Sequence, residues 1–196
     1  FAEIGSGPHG LWAIRAAVAW HRLSPAGGRC ELLLAEPEVM NHTQQAEQLA
    51  LNLPDGLCQI TAAEEYVGTD GGPSLHQLLD STGGSSEPWD MVDVDAQGAE
   101  LNILRREHQQ LATRVRIAHI STHSRDIHAQ ILAILRGSGW AVTMEFTSVS
   151  RAEIGNLGPF AALDGHITAL PPSGPQQRRS LAEEAEDLGG AAQIPG

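Results

Sequence analysis

Apolar residues in this chain recur in two alternating patterns. Short runs bounded by Gly and Pro read as buried strands, and longer stretches with apolar positions three to four apart read as amphipathic helices. Phe1 to Ile4 is the first run, broken by Gly5-Ser-Gly7-Pro-His-Gly10. A helix is expected from about Gly10 to His21, ended by Ser24-Pro-Ala-Gly-Gly28. Cys30 to Ala35 is the second strand, and a helix from Pro37 to about Leu53 stops at Pro54-Asp-Gly56. Leu57 to Ala62 is the third strand; after a polar, glycine-rich stretch a short helix covers Ser74 to Leu79. The fourth strand ends near Asp95, a helix runs from Gly98 to about Gln110, and the fifth strand is Val115 to Ser121. Thr122-His123-Ser124 makes the next turn, with Ser124 as N-cap of a helix over Arg125 to Leu135. Trp140 to Thr147 and Gly158 to Leu170 read as two last strands in a hairpin-like connection.

This alternation predicts one α/β domain over residues 1–170, a mostly parallel sheet wrapped by helices on both faces. Residues 171–196 are rich in Pro, Gly and then Glu, and read as a flexible tail with at most one short helix. In such a sheet the turns leaving the strands gather at one edge. Glu3 to Gly7, Glu36, Ala62 and Ala63, Asp95, and Thr122 with His123 should therefore converge. The chain opens without Met inside its first strand, which leads us to expect residues before Phe1.

Composition narrows the chemistry. The formal charge is −12 over 196 residues, with no basic block, so nucleic acid and anionic membranes are not expected as partners. All twelve cationic side chains are Arg. The missing lysine excludes a phosphate-binding P-loop, a Schiff base and a Tyr-x-x-x-Lys pair. Cys30 and Cys58 form no metal-binding pair, and we expect two buried free thiols in a reducing cytoplasm. No apolar run is long enough to span a membrane.

The glycine turn matches Gly-x-Gly-x-x-Gly, which in isolation also fits a nicotinamide dinucleotide. Two acids weigh against that guest. Glu3, two residues before the first glycine, does not suit a pyrophosphate but does suit the ammonium and sulfonium of S-adenosylmethionine. Glu36 lies 26 residues past Gly10, beyond the about 20 expected for the acid that binds the ribose of NAD.

Glu3-Ile-Gly-Ser-Gly7, Glu36-Pro37, Asp95-Ala-Gln-Gly-Ala-Glu100, Thr122-His-Ser124 and Gly139-Trp140, in that order, resemble the FkbM-type S-adenosylmethionine-dependent methyltransferases. Gly158-Pro-Phe160 to Asp164-Gly-His-Ile167 is similar to that family's closing hairpin. The resemblance implies a Rossmann-like seven-stranded sheet with an antiparallel last strand, and O-methylation of a small hydroxylated natural product or sugar. It implies that Glu3, Gly5, Ser6 and Gly7 hold the methionine end of the cofactor. Glu36 would hold the ribose, Ala62 and Ala63 would flank adenine, and Asp95 and His123 would face the methyl group. Asp93 departs from the family pattern, which has an apolar or basic residue there.

An alcohol needs its proton removed before it attacks a sulfonium methyl. His123, with an unperturbed pKa of about 6.5, is the expected base and Asp95 the second choice, without a metal. Glu100 reads as a helix-dipole partner. Strand spacing puts His119 about 13 Å from His123, too far to share an ion, and Asp93 about 7 Å from Asp95, as a solvated acidic pair. A nicotinamide-dependent oxidoreductase and an inactive cofactor-binding fragment remain the alternatives.

Overall fold

The computed structural model describes residues 1–24, 28–82, 87–153 and 158–172. The tail expected after residue 170 lies almost wholly outside the described residues. Strands β1 (Ala2–Ile4), β2 (Glu31–Ala35), β3 (Gln59–Ala63), β4 (Trp89–Val94) and β5 (Val115–Thr122) alternate with helices α1 (Leu11–Leu23), α2 (Val39–Asn52), α3 (Leu75–Ser81), α4 (Glu100–Arg114) and α5 (Arg125–Gly137). Four more strands close the described chain: β6 (Ala141–Phe146), β7 (Ser150–Glu153), β8 (Pro159–Ala162) and β9 (Gly165–Leu170). The main sheet has seven strands in the order β3-β2-β1-β4-β5-β9-β6. β1 to β5 pair in parallel, and β9 inserts antiparallel between β5 and β6. The expected α/β architecture, with its antiparallel last strand, is the observed one.

Two differences have local causes. The stretch expected as one strand from Gly158 to Leu170 is two, because the chain bends between Ala162 and Gly165 and β8 pairs with β7 in a separate two-stranded sheet. Helix α4 begins at Glu100 rather than Gly98, since Gln97 (φ 49°) and Gly98 (φ 106°) both sit in the left-handed region and cannot start a right-handed helix.

The core divides at the sheet. Leu75, Leu79, Ile103, Leu104, Ile131 and Leu135 from α3, α4 and α5 pack against Val92, Val94, Ile120 and Ile167 on one face. On the other, Ala13 and Ala17 of α1 and Leu49 of α2 cover Leu32 and Leu34. Alternation along a strand sends every second residue to this second face. Thus Glu3, Asp93, His119 and Thr168 stand side by side across β1, β4, β5 and β9.

The free-thiol expectation is wrong. Cys30 and Cys58 form a disulfide with Cα atoms 4.5 Å apart. Each cysteine immediately precedes one of two paired parallel strands, and the register Glu31↔Gln59 brings the two together. The reading of a reducing cytoplasm rested on free thiols and loses that support. No helix among the described residues is long and apolar enough to cross a membrane.

Candidate functional site

The sheet order reverses between β1 and β4, so the turns leaving those strands part and open a crevice between them. After β1 the glycine turn is fastened on both sides. Gly5 and Ser6 donate backbone N–H groups to Ala35 O at 2.8 and 3.2 Å, and Ile4 O accepts from Asp95 N at 2.8 Å. Gly5 (φ +81°) tolerates no side chain: a Cβ there would lie 1.9 Å from Asp95 O. Gly7 (φ +58°) has open space where its Cβ would be. From α2, Gln45 Nε2 donates to Ser6 Oγ at 2.7 Å and to Gly7 O at 3.0 Å, pinning the turn from outside.

Glu36 ends β2 in a web of bonds. Its Oε2 accepts from Gly7 N at 2.8 Å, and its Oε1 accepts from Glu38 N at 3.1 Å and Asn41 Nδ2 at 3.0 Å. These bonds hold a buried carboxylate against the glycine turn, facing a cavity of about 530 Å³. Gly5, Gly7, Glu36 and Asp95 line this cavity, joined by Pro37, Asn41, Tyr66, Val67 and Gln97.

Other expected residues take different places. Glu3 is sealed beneath α1, where its Oε2 accepts from Ala13 N at 2.8 Å. Burial pushes its carboxyl up to about 8, only partly offset by that bond. Ser6 is buried behind the turn. Ala62 is exposed on the far side, beside Ile60 and Leu49, while Ala63 O accepts from Glu36 N at 3.0 Å. The cavity wall near β3 is instead made by Tyr66 and Val67, and Tyr66 OH donates to Glu38 Oε1 at 3.0 Å. Neither residue, nor Gln45 or Asn41, stood out in the sequence; their signal lies only in their distance along the chain from β2 and β3.

At the ends of β4 and β5, three motif residues meet. His123 Nε2 lies 3.2 Å from Asp95 Oδ1, and His123 Nδ1 lies 3.1 Å from Glu100 Oε1. Glu100 is fully buried, and both its oxygens accept from Gly98 N, at 3.1 and 2.9 Å. It is the acidic residue in the first turn of α4, where a helix-dipole partner was expected, and it also stands against His123. Asp95 is held above the ordinary carboxylate range by burial, against the pull of His123. Ser124 is the expected N-cap, accepting from Ile127 N at 3.1 Å, which fixes the turn that presents His123.

Asp93 is no solvated partner of Asp95. It is buried, its Oδ1 has no hydrogen-bond partner, and burial with the Asp95 charge pushes it up to about 7. His119 does not approach His123; its Nδ1 meets Thr168 Oγ1 at 2.9 Å and its ring stacks on His166 at 5.4 Å.

The fold is similar to that of solved methyltransferases. Ribosomal protein L11 methylase from Lactobacillus delbrueckii subsp. bulgaricus superposes with a TM-score of 0.53 at 16% identity, over 88% of this chain and 69% of that one. This is the methyltransferase fold. The N-terminal domain of human METTL16, solved in complex with SAH, gives a TM-score of 0.51 at 16% identity, over 88% of this chain and 61% of that one. In sequence, a protein of Jannaschia sp. (strain CCS1) named "Putative methyltransferase" is 30% identical over 89 residues, 45% of this chain. The chain matches only 31% of that relative's length. No family model matches the chain.

Proposed function

We propose that the chain binds S-adenosylmethionine in the crevice between β1 and β4 and transfers its methyl group to a hydroxyl of a small acceptor, as the FkbM resemblance implies. The observation that carries this reading is the cavity wall: a glycine turn held open at Gly7, a fixed carboxylate at Glu36, and Asp95 across from them. Glu36 keeps its place with one acceptor position left for a ribose hydroxyl beside the three bonds it already accepts, and Tyr66 with Val67 offers flat and apolar surface for adenine. Glu3 and Ser6 act through the backbone they hold, setting the turn that receives the methionine end. Glu36, Glu38, Glu65 and Asp95 line the cavity without a cationic side chain among the lining residues. That charge favours a ligand bearing a sulfonium and an ammonium, and opposes a phosphate-rich acceptor. A small hydroxylated molecule, rather than nucleic acid or membrane, is therefore the acceptor we assign.

In this reading Asp95, which lines the cavity, and His123, 3.2 Å from it, are the groups that face the acceptor hydroxyl as it loses its proton. The sulfonium needs no help, because it leaves as a neutral thioether. The contribution asked of the protein is alignment of the oxygen and stabilisation of its developing charge.

Thermal shift against S-adenosylhomocysteine, NAD and NADP tests the reading directly. Stabilisation by S-adenosylhomocysteine in preference to either dinucleotide is expected. A larger shift with NAD or NADP would replace it by the oxidoreductase reading.

A further inference from the structure

We propose that Asp95 and His123 are the protein ligands of a first-row divalent cation beside the Asp95 edge of the cavity, with buried Glu100 holding the imidazole in its ligating tautomer. Asp95, Glu100 and His123 each offer a ligand atom, and these atoms all lie within 4.8 Å of one another. They come from three separate places: the turn after β4, the first residue of α4 and the turn after β5.

At the centre of this group is an imidazole with a carboxylate at each nitrogen. A neutral ring carries one N–H, so one of the two contacts sets a lone pair against an anionic oxygen unless positive charge lies there. Nδ1 has no exposed surface and no hydrogen-bond partner of good geometry, and the nearest acceptor is Glu100 Oε1 at 3.1 Å. Glu100, fully buried, is the natural acceptor for that N–H. The Nε2 lone pair then faces Asp95 Oδ1 at 3.2 Å.

Two ligand atoms at right angles around an ion, each bonded at about 2.0–2.2 Å, sit about 3 Å apart. Nε2 and Oδ1 have that separation already. A carboxylate behind the second nitrogen is the usual support of a metal-bound histidine. Asp164 and His166 also stand near enough to act electrostatically on Asp95, so the neighbourhood adds a further carboxylate and a further imidazole. One nitrogen and one oxygen suit Mn²⁺, Fe²⁺ or Zn²⁺ better than Ca²⁺, which takes six to eight oxygens. The open positions would go to water and to the acceptor.

The role of the ion, unlike its binding, rests on the methyltransferase reading. An acceptor hydroxyl on the ion is acidified and releases its proton to water. Its oxygen then bonds the methyl carbon as the carbon–sulfur bond breaks, and that electron pair returns to sulfur. His123 serves here as a ligand, in place of the metal-free base expected from the sequence.

Manganese titration of the full chain, followed by electron paramagnetic resonance and calorimetry, is the test. One Mn²⁺ per chain is expected, with affinity reduced at least about tenfold in Asp95→Asn and in His123→Ala, and by about 10–100-fold in Glu100→Gln. His21→Ala, on an exposed turn of α1, should change nothing. Glu100→Gln could fail to fold because the buried carboxylate holds Gly98 N at the start of α4; the other two variants, checked by thermal melts, carry the test without it. No binding by the parent, or binding indifferent to both Asp95→Asn and His123→Ala, overturns the proposal. Binding of S-adenosylhomocysteine without manganese defeats the cation site alone. Manganese without S-adenosylhomocysteine defeats the methyltransferase reading and leaves the site standing.

Discussion

On the β1–β2 side of the ligand edge, the chain answers its own polar groups: Glu36 accepts three hydrogen bonds, and Gln45 ties down Ser6 and Gly7. On the β4–β5 side acceptors outnumber donors. Asp95 and Glu100 share one imidazole, with Gln97 and Gly98 as their further donors, and Asp93 Oδ1 has no hydrogen-bond partner. A half that is paired internally keeps its shape before any ligand arrives. A half short of donors is stabilised by whatever brings a proton, a cation or a hydroxyl. The division fits a site that recognises its cofactor through a prepared backbone and does its chemistry where the fold leaves groups unanswered.

The hardest blow to the paired half is Gly5→Val. The new side chain would meet Asp95 O and would have to hold a positive φ, so we expect a loss of about 3 kcal/mol or more in urea unfolding, or no folded protein. Next in size is the Cys30–Cys58 bridge, whose 28-residue separation corresponds to about 3–4 kcal/mol in the loop-entropy treatment. A urea midpoint that does not move on adding reductant would show that the bridge carries no such stabilisation. Glu36→Ala should weaken S-adenosylhomocysteine by about 1.5–3 kcal/mol in calorimetry, since it removes a charged acceptor and frees the turn it holds. Unchanged affinity there would dissolve the contrast between the two halves.

The smallest effect probes the unanswered half through pH. Burial raises Asp93 from 3.8 to about 7 and Glu3 from 4.5 to about 8, so the folded chain keeps protons that the unfolded chain releases. Their contribution is complete below their ordinary values and is lost as pH rises through about 7 to 8. Stability should decline across that window. Asp93→Asn should flatten the decline and be the more stable protein at pH 8, by about 1–3 kcal/mol. Parallel stability curves for the two proteins between pH 5 and 8 would refute this account of Asp93.

Much of this architecture is legible from local pattern. The run Leu32 to Ala35, the breakers at Gly5 to Gly10 and the cap at Ser124 state β2, the glycine turn after β1 and the start of α5 without any knowledge of the rest. Convergence at the strand ends follows from alternation alone. What stayed hidden depends on tertiary register or on backbone sign. The contact between Glu100 and His123 needs the left-handed pair Gln97 and Gly98 to swing α4 into place, and Gln97 gives no advance sign of it. The disulfide was within reach, since a cysteine precedes each of two strands that a parallel sheet puts side by side. Tyr66 and Val67 reach the cavity from the loop after β3, where no periodicity guides the eye. Glu3 looked like a ligand for the cofactor because its position was right; burial under α1 turns its carboxylate toward Ala13 instead.

Gly5 and Asp95 touch through backbone alone, with Asp95 N bonded to Ile4 O and no room for even a methyl group between the chains. The glycine turn and the β4 end are for that reason held directly against each other. If the turn receives the cofactor as proposed and its binding shifts Asp95, a ligand on Asp95 would alter cofactor affinity, and by reciprocity the cofactor would alter that ligand's affinity by the same factor. Cooperation between the two guests would then need neither a lid nor a hinge: it would be transmitted across one pair of peptide groups.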